Sequence, residues 1–287
     1  MNRTGWVIMA SCEIVYLGPT GTFSYEIARK RFGRARCKLV SRETIEEVCW
    51  QVAAKPSRKG ILPIENSTSG PIYSSVDALL DDRLDLHILE EISIDVSLAL
   101  LGRKKDDVHR IYTHFAPKRH CREWIAENYP DAELVEVATT AAAAREASYS
   151  PHSAAISNRM AARLYGLEVI HYPLPGTVKE NVTQFLVISR KLRKSPRIAK
   201  TSLAVHLRND PGSLYDFLRP MAEARINLSR IISRPIEGKL GQVAFLIDID
   251  GNFYKPKLST ALRQARRSAK KVRLLGSYPC YRKYKAS

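Results

Sequence analysis

Hydroxyl and amide side chains recur in this sequence where a predicted strand is followed by a predicted helix. The junctions are Gly21-Thr22, Glu65-Asn66-Ser67, Thr139-Thr140 and Ser157-Asn158. The free backbone N–H groups and the positive dipole end of a helix start favour carboxylates and phosphates. Ser, Thr and Asn are also good helix caps, so one junction alone is better explained as a cap. Four such junctions, without a glycine-rich nucleotide loop, favour a cleft for a small polyanion.

A fifth polar group lies at the start of another predicted strand. The run Asn181-Val182-Thr183-Gln184-Phe185 places one hydroxyl, one amide and one aromatic ring where side chains reach a cleft from a rigid frame. The sequence contains no GxSxG, HExxH or GxxxxGK[ST] motif. These residues are therefore suited to positioned hydrogen bonding to an anionic ligand.

The composition is that of a globular protein with room for more than one domain. The chain has 287 residues, of which 45% are hydrophobic and 26% are charged. Its net charge of +17 attracts anions of every kind, so the sign alone identifies no partner. After Asp250 there are eleven Lys or Arg residues and no acidic residue, which places much of the excess charge in the C-terminal part.

The cysteines and the hydrophobic segments favour a cytoplasmic protein. The five cysteines are scattered and show no metal-ligand spacing, so we expect neither a disulfide framework nor a zinc site. We identify no secretory signal, and no apolar stretch approaches the roughly 20 residues that cross a bilayer. We expect no membrane association.

The order of the predicted elements indicates two kinds of fold. Strands and helices alternate through the first 190 residues, which is typical of an α/β domain with largely parallel sheets. From residue 200 the pattern is βαββαβ, the ferredoxin-like order. Its predicted elements are a strand at 201–207, a helix at 213–224, strands at 226–232 and 241–249, a basic helix at 258–271 and a strand at 272–275.

Several motifs together resemble prephenate dehydratase. They include Gly18-Pro19-Thr20-Gly21-Thr22-Phe23-Ser24, Pro63-Ile64-Glu65-Asn66-Ser67, Ala154-Ala155-Ile156 and Asn181-Val182-Thr183-Gln184-Phe185. The resemblance implies a catalytic domain over residues 13–190, with two lobes like those of a periplasmic binding protein and the substrate between them. Residues 200–280 are similar to an ACT regulatory domain, and residues 189–199 are the predicted linker.

The resemblance implies the decarboxylating dehydration of prephenate to phenylpyruvate, with no cofactor and no metal. Thr183 is the implied catalytic residue. The predicted substrate-binding residues are Thr22, Asn66, Ser67, Thr140, Gln184 and Phe185. L-Phenylalanine is the implied effector, bound between paired ACT domains, and we expect a homodimer or homotetramer. The predicted effector-binding residues are Gly212, Ser213, Leu214, Ser233, Arg234 and Pro235.

One departure from the family pattern affects the predicted site. The usual Thr-Arg-Phe reads Thr183-Gln184-Phe185, so the cation beside the catalytic hydroxyl is missing. A hydrogen bond to a charged group contributes about 1.5–3 kcal/mol, so this change favours a weakened site. The alternative is therefore a prephenate-using relative: a non-aromatising decarboxylase, an arogenate dehydratase or a weakly active paralogue.

A binding protein without catalytic activity is the other alternative, either a solute receptor or a nucleic-acid binder. The missing export signal argues against a receptor. The basic residues near the C-terminus are better explained as the solvated face of one helix than as a nucleic-acid surface, so we expect no nucleic-acid partner. They are Arg263, Arg266, Arg267, Lys270 and Lys271.

Overall fold

The computed structural model describes residues 12–35, 37–103, 108–175, 181–194, 200–239, 241–280 and 284–285. Residues 195–199 of the predicted linker lie outside this described part. The first lobe consists of β1 (Glu13–Leu17), α1 (Phe23–Phe32), β2 (Lys38–Arg42), α2 (Ile45–Ala54), β3 (Arg58–Asn66), β4 (Gly70–Pro71), α3 (Tyr73–Leu80) and β5 (His87–Asp95).

The second lobe is inserted between β5 and the strand that returns to the first lobe. It consists of β6 (Ala99–Gly102), β7 (Arg110–Thr113), α4 (Phe115–Asn128), β8 (Glu133–Glu136), α5 (Thr140–Tyr149), β9 (Ser153–Ser157), α6 (Arg159–Tyr165) and β10 (Glu168–His171). The returning strand is β11 (Val182–Ser189). The chain therefore crosses between the lobes twice, and the predicted two-lobed α/β fold is confirmed.

The C-terminal unit has the predicted βαββαβ order. It consists of β12 (Lys200–Leu207), α7 (Ser213–Glu223), β13 (Leu228–Pro235), β14 (Val243–Asp250), α8 (Pro256–Ala265) and β15 (Ala269–Tyr278), followed by β16 (Tyr284–Lys285). Its antiparallel sheet has the strand order β13-β14-β12-β15.

The two lobe sheets place their polar junctions at strand ends. The sheet of the first lobe has the order β16-β5-β11-β3-β1-β2, with β4 paired to β3, and that of the second lobe has the order β10-β6-β9-β7-β8. In the first lobe β1 and β3 are parallel, whereas β11 runs antiparallel to β3. The start of β11 therefore lies at the same sheet edge as the ends of β1 and β3, and the junctions at Thr22, Asn66 and Thr183 share that edge.

The two faces of the first-lobe sheet pack against different partners. Phe185 and Val187 pack with Ile27 of α1 on one face. On the other face Leu186 and Ile188 join α2, α3 and the C-terminal sheet in one apolar cluster. The C-terminal sheet therefore covers the face of β11 opposite α1. No helix in the described part of the chain is both long and apolar enough to cross a membrane.

The end of α8 corrects the prediction of one basic helix over 258–271. The α-helix ends at Ala265, a short 3-10 turn follows, and Lys271 pairs with His206 in the sheet. The long-range pairing of β15 with β12 overrides the local helical pattern. The basic residues near the C-terminus are therefore divided between a helix, a turn and a strand, and they do not form one helical face.

A disulfide joins Cys12 and Cys37, whose Cα atoms are 4.7 Å apart. The expectation of no disulfide framework did not include this single disulfide, which forms because the parallel pairing of β1 with β2 brings the residues before these strands together. Disulfides persist in oxidising compartments, so the cysteines no longer support the cytoplasmic location, which stays a prediction.

Gly276 on β15 packs directly against the backbone of β5. A Cβ atom at this position would lie 2.3 Å from the Ile88 carbonyl oxygen. We therefore expect Gly276→Ala to destabilise the protein by about 1–3 kcal/mol, measured by thermal unfolding. Gly33→Ala is the control, because a Cβ there lies 3.8 Å from the nearest atom. Equal melting temperatures for the two variants would contradict this packing.

Candidate active site

Thr183 lies at the start of β11, directly opposite Asn66 at the end of β3. The two strands are antiparallel, so their cross-strand pairs set the separation of these two side chains. Thr183 is 9% exposed. The Asn66 Nδ2 atom donates a hydrogen bond of 2.9 Å to Thr183 Oγ1.

The side-chain amide of Asn66 has its orientation fixed by backbone donors. The backbone N–H groups of Thr68 and Ser69 both donate to Asn66 Oδ1, at 3.0 Å each. Because a backbone N–H can only donate, the oxygen must face them, and Nδ2 must face Thr183. Thr183 Oγ1 thus accepts from Asn66. No described residue accepts the proton of its hydroxyl, so that proton can be donated to a bound molecule.

Two further residues fasten this pair. Asn66 Nδ2 donates to Asn181 Oδ1 at 2.6 Å. Ser67 binds β11 through both its backbone and its side chain, because its N–H donates to the Val182 carbonyl and its Oγ accepts from the Val182 N–H, both at 2.9 Å. The loop after β3 is therefore tied to the first residues of β11, which restricts the position of Thr183.

Polar residues of both lobes meet at the loop after β1. Asn158, which caps α6, donates from Nδ2 to the Gly21 carbonyl oxygen at 2.8 Å. The Tyr165 hydroxyl donates to the Thr20 carbonyl oxygen at 2.7 Å. Thr22 Oγ1 donates to the Leu17 carbonyl and accepts from the Tyr25 N–H, so its hydroxyl acts as a helix cap. These contacts hold the second lobe against the loop that contains Thr22.

Thr140 is the first residue of α5 in the second lobe. Thr139 caps this helix, accepting a 3.0 Å hydrogen bond from the Ala142 N–H. The neighbouring Ala141 lies against Gly21, because a Cβ built on Gly21 would be 3.5 Å from the Ala141 Cβ. The N-terminus of α5 therefore faces the loop between β1 and α1, at the boundary of the two lobes.

Gln184 and Phe185 are not brought to the Thr183–Asn66 pair. Successive side chains of a strand point to opposite faces, so Gln184 lies on the face covered by the C-terminal sheet. There its Oε1 accepts a hydrogen bond from Arg230. Phe185 is 1% exposed and packs in the apolar core beside Ile61. We therefore do not carry these two residues into the proposed substrate site.

Four of the six predicted effector residues line two separate cavities. Ser213 and Leu214 line a cavity of about 140 Å³ with Phe245, next to Gly212, which adopts a positive φ of 84° before α7. Arg234 and Pro235 line another, of about 520 Å³.

Arg234 of β13 is held by the first lobe. It donates to both carboxylate oxygens of Asp77, at 2.5 and 2.7 Å, and its guanidinium lies over the Tyr73 ring. The adjacent Ser233 is also on β13. Within one chain, Arg234 and Pro235 therefore line a different cavity from Ser213 and Leu214.

Buried thiols are not suited to nucleophilic chemistry in this structure. Burial raises the pKa of Cys49 to about 12 and that of Cys121 to about 11, so both stay protonated near neutral pH. Within the described ranges, no group of three or more His, Cys, Asp or Glu residues is arranged to hold a metal ion. The side chains that form hydrogen bonds at the loop after β1 are hydroxyls and an amide.

The sequence model of one family, prephenate dehydratase, matches residues 14–193. The chain belongs to the prephenate dehydratase family. The match covers both lobes and β11, including the Thr183–Asn66 pair.

Similar proteins extend the likeness to the C-terminal unit. A bifunctional chorismate mutase/prephenate dehydratase from Pseudomonas aeruginosa is 35% identical, covering 95% of this chain and 76% of that protein. The structure of an Arthrobacter aurescens prephenate dehydratase in complex with L-Phe is 31% identical, with a TM-score of 0.83, covering 93% of this chain and 90% of the other. GqqA, described as a novel type of quorum-quenching acylase, has a TM-score of 0.83 and 27% identity, covering 94% and 98%.

Three residues that the structure connects to the site were not among the predicted site residues. Asn158 was visible only as one of four strand–helix junctions, and Asn181 only as part of the motif around Thr183. Both carry an amide next to a predicted site residue, which is the signal that identifies them in retrospect. Arg230 gave no local signal, because its contacts to Glu65 and Gln184 join residues far apart in the chain.

Proposed function

We propose that this chain catalyses the decarboxylating dehydration of prephenate to phenylpyruvate. The bond to the ring carboxylate breaks, carbon dioxide leaves, and the electron pair enters the ring as the C–O bond to the 4-hydroxyl breaks. The hydroxide takes up one proton and leaves as water, so the prephenate dianion gives the phenylpyruvate monoanion. Aromatisation drives the reaction, and the protein must hold the dianion and assist the leaving hydroxyl.

We assign Thr183 the role of assisting the leaving hydroxyl. The hydrogen bond that Thr183 accepts from Asn66 supports this assignment. Asn66 occupies a lone pair of the Thr183 oxygen and leaves the hydroxyl proton directed elsewhere. Accepting one hydrogen bond strengthens the donation of the next in a chain. An alcohol is a weak acid, so Thr183 acts as a positioned hydrogen-bond donor, and the proton of the product water comes from solvent.

The two carboxylates of the substrate bind at the lobe boundary. Thr140, the first residue of α5, provides a hydroxyl and a backbone N–H donor. Ser67, directly after β3, contributes by tying its loop to Val182, because its backbone N–H is already donated there. The positive dipole end of α5 attracts anions without a fixed cation. The net charge of +17 steers an anionic substrate toward the protein. Thr22 contributes indirectly, by capping α1 and fixing the loop after β1.

The test is to incubate the purified protein with prephenate and follow phenylpyruvate together with carbon dioxide. We expect both products in equal amounts. Carbon dioxide without an aromatic product would support a non-aromatising decarboxylase, and no turnover would support a binding protein. Arogenate is the parallel substrate, and faster formation of phenylalanine from arogenate would identify an arogenate dehydratase.

We also propose that L-phenylalanine regulates the enzyme through paired C-terminal units. The structure of the Arthrobacter aurescens relative is a complex with L-Phe. In this chain the cavity beside Leu214 is lined by apolar Val243 and Phe245 together with polar Asp210 and Gln242, which suits an amino acid with an aromatic side chain. Ile231 on the edge strand β13 is 45% exposed. Pairing two units would cover this apolar edge.

We expect Leu214→Asp to weaken inhibition by L-phenylalanine at least tenfold. The introduced carboxylate places a negative charge in the apolar wall and repels the carboxylate of the effector. The measurement is the dehydratase rate against phenylalanine concentration. Arg219→Gln, an exposed change on the same helix outside the cavity, should alter the sensitivity less than twofold. Equal sensitivity of Leu214→Asp and the unmodified protein would exclude this cavity as the effector site.

A further inference from the structure

A cluster of charged side chains lies between the first-lobe sheet and the C-terminal sheet. Two cations, Lys200 and Arg230, face three carboxyl groups, those of Glu65, Glu91 and Asp248. The side chains of Arg230 and Asp248 are 5% and 1% exposed. Buried charges persist only with partners, and the removal of one partner leaves the others uncompensated.

Arg230 connects three strands through one guanidinium group. Its Nε donates to Glu65 Oε2 on β3 at 2.9 Å. Its Nη2 also donates to Gln184 Oε1 on β11, and its Nη1 donates to Asp248 Oδ2 on β14. Burial alone would lower the pKa of Arg230, but Asp248, Glu65 and Glu91 together raise it. The guanidinium therefore keeps its charge and all its donors.

The contacts of Arg230 fall next to the catalytic pair. Gln184 lies opposite Glu65 in the register of β11 and β3, and the adjacent pair in that register is Thr183 with Asn66. Arg230 contacts one side chain of each strand at this position. A shift of either strand at Gln184 or Glu65 moves the next residue, and so changes the distance between Thr183 and Asn66.

We propose that Arg230 is a positioning residue for the dehydration, because its guanidinium clamps β3 and β11 together beside the Thr183–Asn66 pair. The inference rests on the proposed function. It makes the C-terminal sheet a part of the catalytic framework. It also gives Gln184 a role, because the Gln184 side chain accepts the hydrogen bond that Arg230 donates from the C-terminal sheet.

Arg230→Lys separates charge from geometry. A lysine keeps the positive charge facing Asp248 and Glu91, but its single ammonium cannot contact β3, β11 and β14 in the same fixed arrangement. We expect kcat for prephenate, measured well below the melting temperature, to fall about tenfold with KM changed less than threefold. The melting temperature should also fall, because buried hydrogen bonds of Arg230 are lost. A residue that affects the reaction step and not substrate binding changes kcat and leaves KM nearly unchanged.

A second-site variant tests the clamp itself. Gln184→Arg in the Arg230→Lys background places a guanidinium on β11 directly opposite Glu65, which ties the same two strands within the catalytic sheet. We expect kcat to recover to within threefold of the unmodified protein. Lys271→Gln is the control, because Lys271 joins the C-terminal sheet to Asp82 at 2.8 Å, away from β3 and β11. Its kcat should stay within twofold.

The results distinguish this inference from the proposed function. If the unmodified protein forms no phenylpyruvate, the proposed function is contradicted. An active protein whose Arg230→Lys variant is equally fast, or whose double variant does not recover, overturns the positioning role alone. Gln184→Met provides an independent variant if Arg230→Lys does not fold, because it removes the acceptor of Arg230 and keeps the shape. It should also lower kcat, and an unchanged kcat would overturn the inference.

Discussion

Thr183→Ala is expected to reduce kcat for prephenate by about 10²–10³-fold, the effect of losing one positioned hydrogen-bond donor. The variant lacks the hydroxyl that would donate to the departing oxygen, and Asn66 Nδ2 keeps Asn181 as an acceptor. We therefore expect the fold and the affinity for prephenate to be retained. The measurements are steady-state kinetics, calorimetric titration with prephenate and a thermal melt.

Two further variants at Thr183 separate the hydroxyl from its surroundings. Thr183→Ser keeps the hydroxyl and should retain activity within tenfold. Thr183→Val keeps the volume and removes the hydroxyl, so it should be as slow as Thr183→Ala. A Thr183→Val variant with full activity would remove Thr183 from the mechanism, because packing alone would then explain its position.

The order of strands and helices was predictable from local pattern because hydrophobic periodicity and caps agree along most of the chain. Thr22 accepts the capping hydrogen bond of α1, and Gly166 ends α6 in the left-handed conformation with a φ of 66°. The failures arise from contacts between distant segments. The pairing of β15 with β12 shortens the predicted basic helix, and the adjacency of β1 and β2 brings Cys12 to Cys37.

The polar residues of the candidate site could be identified in part from the sequence, and the rest depend on contacts between distant segments. Thr183, Asn66 and Ser67 each carry a polar group at a strand end, which sequence alone reveals. The prediction of Gln184 as a substrate-binding residue did not apply the two-residue alternation of a strand, which directs its side chain to the face opposite Thr183. What local pattern cannot supply is the identity of the partner on that face. Arg230 follows β12 by more than twenty residues and reaches Gln184 only after the C-terminal sheet has packed on β11.

Asn66→Asp is the second variant with a large expected effect, because it reverses the hydrogen bond to Thr183 without changing the shape of the side chain. One carboxylate oxygen would still accept from the Thr68 and Ser69 N–H groups, as Asn66 Oδ1 does. The other oxygen would face Thr183 Oγ1 and accept its hydroxyl proton. Thr183 would then have no proton to donate to the substrate. We expect kcat to fall about 10²–10³-fold, the effect of losing one positioned donor.

The pH dependence of Asn66→Asp and a matched variant separate the direction of the Thr183 hydrogen bond from the effect of an added negative charge. Once protonated, the introduced carboxyl carries an O–H group that can donate to Thr183 again, so the residual kcat should rise as the pH falls through the pKa of that carboxyl. Asn181→Asp adds the same charge one contact away, but it keeps the acceptor that Asn66 Nδ2 uses. The fall in kcat for Asn181→Asp should therefore be much smaller than that for Asn66→Asp. Equal losses in both variants would mean that negative charge near the substrate, and not the direction of the Thr183 hydrogen bond, controls the rate.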